Sequence, residues 1–464
     1  MSLRSGLRFS FFKMTVCRRP TGIEYRLVLV VMWILLASLW AFAQSRTVAL
    51  KGGKLLTVSH GTIENGMLVM KGGKIVAVGP YGSVSLPSDA QVIDVTGMTV
   101  YPGLIDSETH LGLTEISEEE STNDLVETSD EIMPHMHASD AFHAESDLIP
   151  VARINGVTNA IVAPDNGDTL PGQDSFIQLA GKSAAEMLIA RDVAMPLNLT
   201  GAQRRNQSWE KRKFPQTRMG MAAQLRQTFL DAQDYSRRWA DYEKRKREGD
   251  NTGSKGANLE APKRDLKLEV LLPYLQGKKA VVLAAEEPSD LATAVGLARE
   301  FNLKFVLSHI SHSHSVLDYV ASLKVPVIVG PIYKNPRLEE RYDAVFRLPG
   351  ELYRCGVKIA FSSGGSGSGD EDTHNVRNLP YQAGFATSFG LPYDEALKAI
   401  TINPAEIWGM GDKLGSLDVG KTANVVIADG DPLDVKTDVK QVFIEGQQIP
   451  MTSRQTRLRD EYSK

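Results

Sequence analysis

Between residues 101 and 408 the chain repeats one rhythm: a short apolar run, then a helical pattern. Residues 158–163, 280–285, 304–308, 325–329 and 357–361 read as strands, and residues 290–300, 316–323 and 392–400 read as helices. Apolar strands without polar alternation are buried on both faces, which is the condition of a parallel sheet covered by helices. Sustained over some 300 residues, this rhythm predicts an α/β fold, a (β/α)8 barrel of the TIM type.

The flanks obey a different period. Residues 46–100 alternate over the short segments 48–50, 54–58, 67–70 and 74–78, with Gly52-Gly53 and Gly72-Gly73 as hairpin signals. Residues 413–433 read as two strands and a turn, and residues 439–447 as one more. The expected architecture is therefore a small β-sandwich built from both termini, 46–100 and 409–450, bracketing a barrel over 101–408. A polar tail, 451–464, follows.

Residues 205–267 interrupt the barrel. Met221, Leu225, Phe229, Ala232 and Tyr235 fall at helical spacing within the highly charged stretch 218–247, so a long inserted helix or helical hairpin is expected there, with a polar loop over 249–258. Its basic residues Arg237, Arg238, Lys244, Arg245, Lys246 and Arg247 read first as a solvated helix face and second as an anion-binding surface.

Residues 1–43 read as a signal peptide. Lys13, Arg18, Arg19 and Arg26 precede an apolar run over 27–43 that ends in the small-x-small triplet Ala41-Phe42-Ala43, and Met14 is an alternative start. Cleavage makes the protein periplasmic or secreted; retention makes the same run a membrane anchor. Removal of Cys17 leaves Cys355 as the sole cysteine, so no intrachain disulfide can form, which suits a bacterial periplasm. A net charge of -4 and a pI near 6.2 provide no basic field for nucleic acid.

The chemistry concentrates where the first barrel strand ends. In Tyr101-Pro-Gly-Leu-Ile-Asp-Ser-Glu-Thr-His110, a Pro-Gly turn opens a short strand, and Glu108 and His110 alternate on it. Side chains two apart on a strand share a face. Two ligand-type groups at a strand's C-terminal end suit a metal centre at a barrel mouth. His309, His312 and His314 follow a later strand; the last two read as part of a polar helix cap flanked by serines. His135, His137 and His143 follow the acidic stretch 115–131 and read as entrance residues.

These motifs, joined by Ala399-Ile-Thr-Ile-Asn-Pro-Ala405, Gly415-Ser-Leu-Asp-Val-Gly-Lys421 and Asp429-Gly-Asp-Pro-Leu433, resemble the amidohydrolase superfamily. Within it the chain is most similar to imidazolonepropionase-like secreted members, over roughly residues 46–450. The resemblance implies a barrel with a side sandwich and one or two divalent metals whose bound hydroxide attacks an amide or cyclic amide C–N bond. It also implies a ligand set: His-x-His on the first strand, a carboxylated Lys or an acid on the fourth, a His on the fifth and on the sixth, and an Asp on the eighth.

This chain departs from that set. Glu108 stands in the first His position, and His110 and His309 match theirs. Pro196 is nearest the fourth-strand position and Ala284 occupies the fifth, with Glu286 a substitute two residues on. For the eighth strand two readings stand. Either Gly364 occupies the Asp position, or a Gly/Ser insertion displaces the motif and Asp372 is the acid, in Asp372-Thr-His-Asn-Val-Arg-Asn-Leu-Pro380. On the second reading Asp372 is the catalytic acid. His374 and Arg377 are then expected at the substrate, Arg377 alternatively in a structural ion pair.

The resemblance thus implies a degenerate metal site holding at most one divalent ion, zinc first, or none. The activity expected is hydrolysis of a C–N bond in a small amide or peptide-like substrate. The alternative is a non-catalytic member that serves as a binding or partner subunit. A homo-oligomer or an association with a paralogous amidohydrolase is the expected assembly.

Overall fold

Two sheets divide the chain, one made from its ends and one from its middle. The computed structural model describes residues 47–463 apart from 117–118, 128, 200–213, 216, 253–258, 311–313, 337–339 and 365–372. The expected signal peptide, Cys17, His312 and Asp372 lie outside the described residues. Among the described residues no helix is long and apolar enough to cross a membrane.

The terminal sheet contains β1 (Val48–Leu56), β2 (Thr62–Lys71), β3 (Lys74–Pro80), β4 (Gln91–Asp94) and β5 (Thr99–Pro102). β1 through β3 form an antiparallel meander, and the turn between β2 and β3 is the expected Gly72-Gly73, with φ of 61° and 76°. The other glycine pair is not a hairpin. Gly52-Gly53 lies inside β1, where the register against β2 shifts on both sides of Gly53, so the pair makes a bulge in one long strand.

The barrel sheet contains β6 (Leu104–Thr109), β7 (Val157–Val162), β8 (Asp174–Gln178), β9 (Leu188–Asn198), β10 (Ala280–Ala284), β11 (Lys304–Ser308), β12 (Val327–Val329) and β13 (Ile359–Phe361), hydrogen-bonded in sequence order. Beyond its two end strands, Gly364 N donates to Glu108 O at 3.0 Å, drawing the edges together. The sheet is not wholly parallel: β8 runs antiparallel to both β7 and β9. A hairpin and a single turn of helix, Ala184–Met187, replace a full β/α unit here.

Ile105, Ile161, Phe176, Ala194, Val282, Val306 and Ile328, one from each strand from β6 to β12, form one buried cluster with Ala405, Trp408 and Leu414. That cluster is a packed interior, as TIM-type barrels have. Neighbouring positions such as Val281, Leu283 and Leu307 join the larger cluster shared with the helices. Gly103 sets the entry to β6: a Cβ there would lie 2.1 Å from Thr158 Oγ1, so only glycine lets β6 and β7 approach.

The inserted helix spans Arg218–Thr252, 35 residues. Met221, Leu225, Phe229, Ala232 and Tyr235 are all buried, as their spacing predicts. The helix lies on the helix Pro288–Glu300: Phe229 meets the Phe301 ring at 5.0 Å, and Arg226 and Arg218 pair with Glu300, Glu287 and Asp290.

After the barrel, β14 (Val425–Ala428) pairs antiparallel with β5, and β15 (Val439–Ile444) and β16 (Gln447–Gln448) extend the terminal sheet. Residues 413–421, expected as strand, are a turn-rich segment laid on that sheet, with Leu417 N bonded to Thr57 O and Gly420 N to Ile75 O. Regular strand pairing is interrupted by Gly415 and Gly420, at φ of 86° and 93°. The polar tail forms a helix, Arg454–Tyr462, opened by a Ser453–Thr456 capping box.

Candidate active site

A buried polar cluster joins the C-terminal ends of β6 and β11, on opposite sides of the barrel sheet. Glu108 is 4 % exposed. One of its carboxylate oxygens, Oε1, lies 3.0 Å from His309 Nε2; the other, Oε2, accepts from Ser308 Oγ at 2.8 Å. His309 follows the last residue of β11 with φ of 57°. That left-handed geometry is uncommon outside glycine, although histidine tolerates it better than most side chains, and such backbone positions collect at functional sites. Burial pushes the Glu108 carboxyl up, but the charge and hydrogen bond of His309, the Ser308 hydroxyl and His110 together hold it below the ordinary range.

An anionic Glu108 fixes the His309 tautomer. The carboxylate can only accept, so Nε2 carries the hydrogen and donates. Asn166 Nδ2 is also 3.4 Å from Nε2, but the shorter, charge-assisted contact to Glu108 dominates. In the neutral imidazole Nδ1 is then the nitrogen with the lone pair; it is buried and, among the described residues, meets no hydrogen-bond partner.

His110 is wholly buried and turned differently. Its Nδ1 lies 2.8 Å from Ala163 O at the end of β7, and its Nε2 lies 3.8 Å from Asp165 Oδ1. Asp106 lies beneath: burial pushes its carboxyl up to about 7, the nearby Glu108 charge adding to the rise, against donation from Ser363 N and Glu108 N. Asp174, on β8, is raised well above its ordinary value by burial and by the Glu108 charge.

The structure brings Glu108 and His309 together, with His110 adjacent through its charge. Ala284 ends β10, and Pro196 pairs in register with Val282, so neither supplies a donor atom at the mouth. Asn198, not Pro196, is level with Ala284, and its amide donates to Asn166 O. Gly364 packs its backbone against β6. Glu286 is half-buried and adds its charge to Asp290. His374 and Arg377 are exposed on the segment Thr373–Asn378, where Arg377 O accepts from Asn155, just ahead of the N-terminal end of β7. His143 is exposed and 3.1 Å from Asp124, while half-buried His135 and His137 are held below the ordinary range by burial.

Sequence reasoning passed over Asp165, Asn166 and Ser308. Each stands at or just beyond the C-terminal end of a barrel strand, and that position is itself the signal for a candidate site residue.

Among the described residues no group of three or more His, Cys, Asp and Glu side chains converges on a metal position. Glu108 Oε1 and His309 Nε2 are close enough to share an ion, but they already bond each other. Catalytic zinc takes three protein ligands. The described residues supply Glu108 and His309 towards such a set, with His110 adjacent, and Asp372 and His312 lie outside them.

A model of the amidohydrolase family matches residues 278–449. Amidohydrolase tasK of Hapsidospora irregularis is 26% identical over 380 residues, 78% of this chain and 37% of that protein. N-substituted formamide deformylase of Arthrobacter pascens is 50% identical over 59 residues, 11% of each chain. The chain thus spans 37% and 11% of the length of these two curated relatives. The structure of an amidohydrolase from Thermotoga maritima MSB8 superposes with a TM-score of 0.76 at 26% identity, covering 88% of this chain and 100% of that one.

Proposed function

The chain belongs to the amidohydrolase superfamily, and from that premise we propose that it hydrolyses a non-peptide C–N bond in a small amide or cyclic amide. The observation that carries this reading is the Glu108–His309 pair at the C-terminal end of the barrel, where enzymes of this architecture hold their chemistry. Glu108 orients the imidazole and balances the charge it gains. His309 Nδ1 offers a base to a water directed at the scissile carbon, as in a carboxylate–imidazole dyad. Ser308 holds the far oxygen of Glu108, so the carboxylate cannot rotate away.

The test is hydrolysis of a panel of N-acyl and cyclic amides by the purified protein. Glu108→Gln and His309→Ala should each lower kcat/KM by roughly 10²–10⁴-fold. Turnover that survives both substitutions sinks this reading. One equivalent of zinc in the purified protein, lost in a His110→Ala, His309→Ala variant, would replace the dyad with a metal centre.

A second reading is favoured by a separate observation. Ala284 and Pro196 supply no donor at two positions where the resemblance implies one each, so the chain can equally serve as a non-catalytic subunit beside an intact paralogue. Co-purification with a second amidohydrolase, and activity confined to the pair, distinguishes it.

A further inference from the structure

The motif Asp429-Gly-Asp-Pro-Leu433 and the turn after it take no part in the barrel mouth, yet they wall a second cavity. Its volume is about 330 Å³, and its other wall is the helix Leu379–Ser388 with the residues that follow. Tyr381 on that helix reaches Asn155, just ahead of the N-terminal end of β7, so the cavity stands apart from the Glu108–His309 pair. Gly384 lets the two walls approach: a Cβ there would lie 2.4 Å from Leu433 O. The turn is itself fixed, since Asp431 O accepts from Asp434 N at 3.0 Å and from Thr437 Oγ1 at 2.6 Å.

The lining combines two chemistries. Tyr381, Phe385, Phe389 and Tyr393 supply rings, of which Phe385 is 45 % and Tyr393 37 % exposed. Phe346 braces two of them, stacked on Phe389 at 5.2 Å and tilted against Phe385 at 5.7 Å. Asp431 and Asp434 supply carboxylates, both exposed, and no Lys, Arg or His lines the cavity. Asp431 Oδ1 accepts from the Tyr393 hydroxyl at 2.8 Å and from Leu433 N at 2.9 Å. Asp434 Oδ1 accepts from Lys436 N at 3.0 Å. Among the described residues the Oδ2 atom of each acid has no partner, and neither acid forms an ion pair, Lys436 included.

Aromatic faces attract a cation, and unpaired carboxylates beside them add to the attraction. One open oxygen per acid gives a guanidinium no bidentate fork. Rings do not replace the oxygen shell of a metal ion. A cation clothed in methyl groups suits both walls, because its surface is apolar and its charge is not. We propose that this cavity binds a small methylated ammonium ion. The site goes beyond the proposed activity and does not depend on it.

Isothermal titration calorimetry on the full chain tests it. Choline should bind in the millimolar range or tighter, and its uncharged carbon analogue 3,3-dimethylbutanol about tenfold or more weakly. Phe385→Leu keeps an apolar side chain but removes the ring, and should weaken choline about fivefold. Asp434→Asn should weaken it about threefold at low salt and less at high salt. Both side chains are exposed, so thermal unfolding of each variant should match the wild type. No heat from choline, equal binding of the carbon analogue, or binding that survives both substitutions together overturns the inference. So does binding of a lysine-rich peptide in place of choline, or a dimer that Phe385→Leu dissociates.

Discussion

A Cβ built on Gly364 would lie 2.9 Å from Thr109 Cα and 3.2 Å from Glu108 O. Backbone, not a flexible side chain, occupies the space that any larger residue here would need. Gly364→Asp is therefore expected to destabilise the fold by about 1–3 kcal/mol, read by urea unfolding, and to recruit no metal. Removing His309 leaves the buried Glu108 carboxylate without its partner, so His309→Ala should cost about 3–5 kcal/mol. The Glu108→Ala, His309→Ala double variant should cost clearly less than the sum of its singles, the mark of a coupled pair in a double-mutant cycle. Asp174 gives a pH signature. Its folded pKa is raised, so its contribution to stability is fully present below about pH 4, where the unfolded carboxyl is also protonated, and is lost as pH rises. Asp174→Asn should melt close to the parent near pH 4 and increasingly above it towards pH 8. Glu108 and His309 could be found from sequence because each ends a recognisable strand. Their mutual bond could not, because it depends on two strands 200 residues apart curving onto one barrel.

The elements that sequence made visible are those whose periodicity and burial agree. The inserted helix is the clearest: the five residues picked out by helical spacing are all buried, with Ala222 beside them. Phe229, fully buried against Phe301, is the point of greatest loss, and Phe229→Ala should cost about 3–5 kcal/mol by chemical denaturation. Elsewhere local signals were ambiguous. Gly52-Gly53 and Gly72-Gly73 sit in the same Lys-Gly-Gly-Lys context, yet one is a bulge and the other a turn. What separates them is the neighbour across β1, where β4 pairs with its first half and β5 with its second. β8 escaped notice because Asp174-Ser-Phe-Ile-Gln178 is half polar, and its reversed direction is set by a hairpin rather than by composition.

At the scale of the whole molecule, β5 is the strand on which the two ends of the chain meet: it pairs with β1 on one side and β14 on the other. Truncation after residue 408 would expose one edge of β5 and the apolar face formed by Leu50, Leu68, Val100 and their partners Val425, Ile427 and Phe443. The truncated chain should be recovered as aggregate, judged by the soluble fraction and far-UV circular dichroism.

That pairing also imposes an order in time. Val100 lies opposite Ile427, roughly 330 residues later in synthesis. At about 5–20 residues per second, a β5 emerging from the ribosome waits on the order of 15–65 s for its partner strand. Until then the meander β1–β3 has an open seam, so the newborn chain's first sheet stays unfinished until β14 is made.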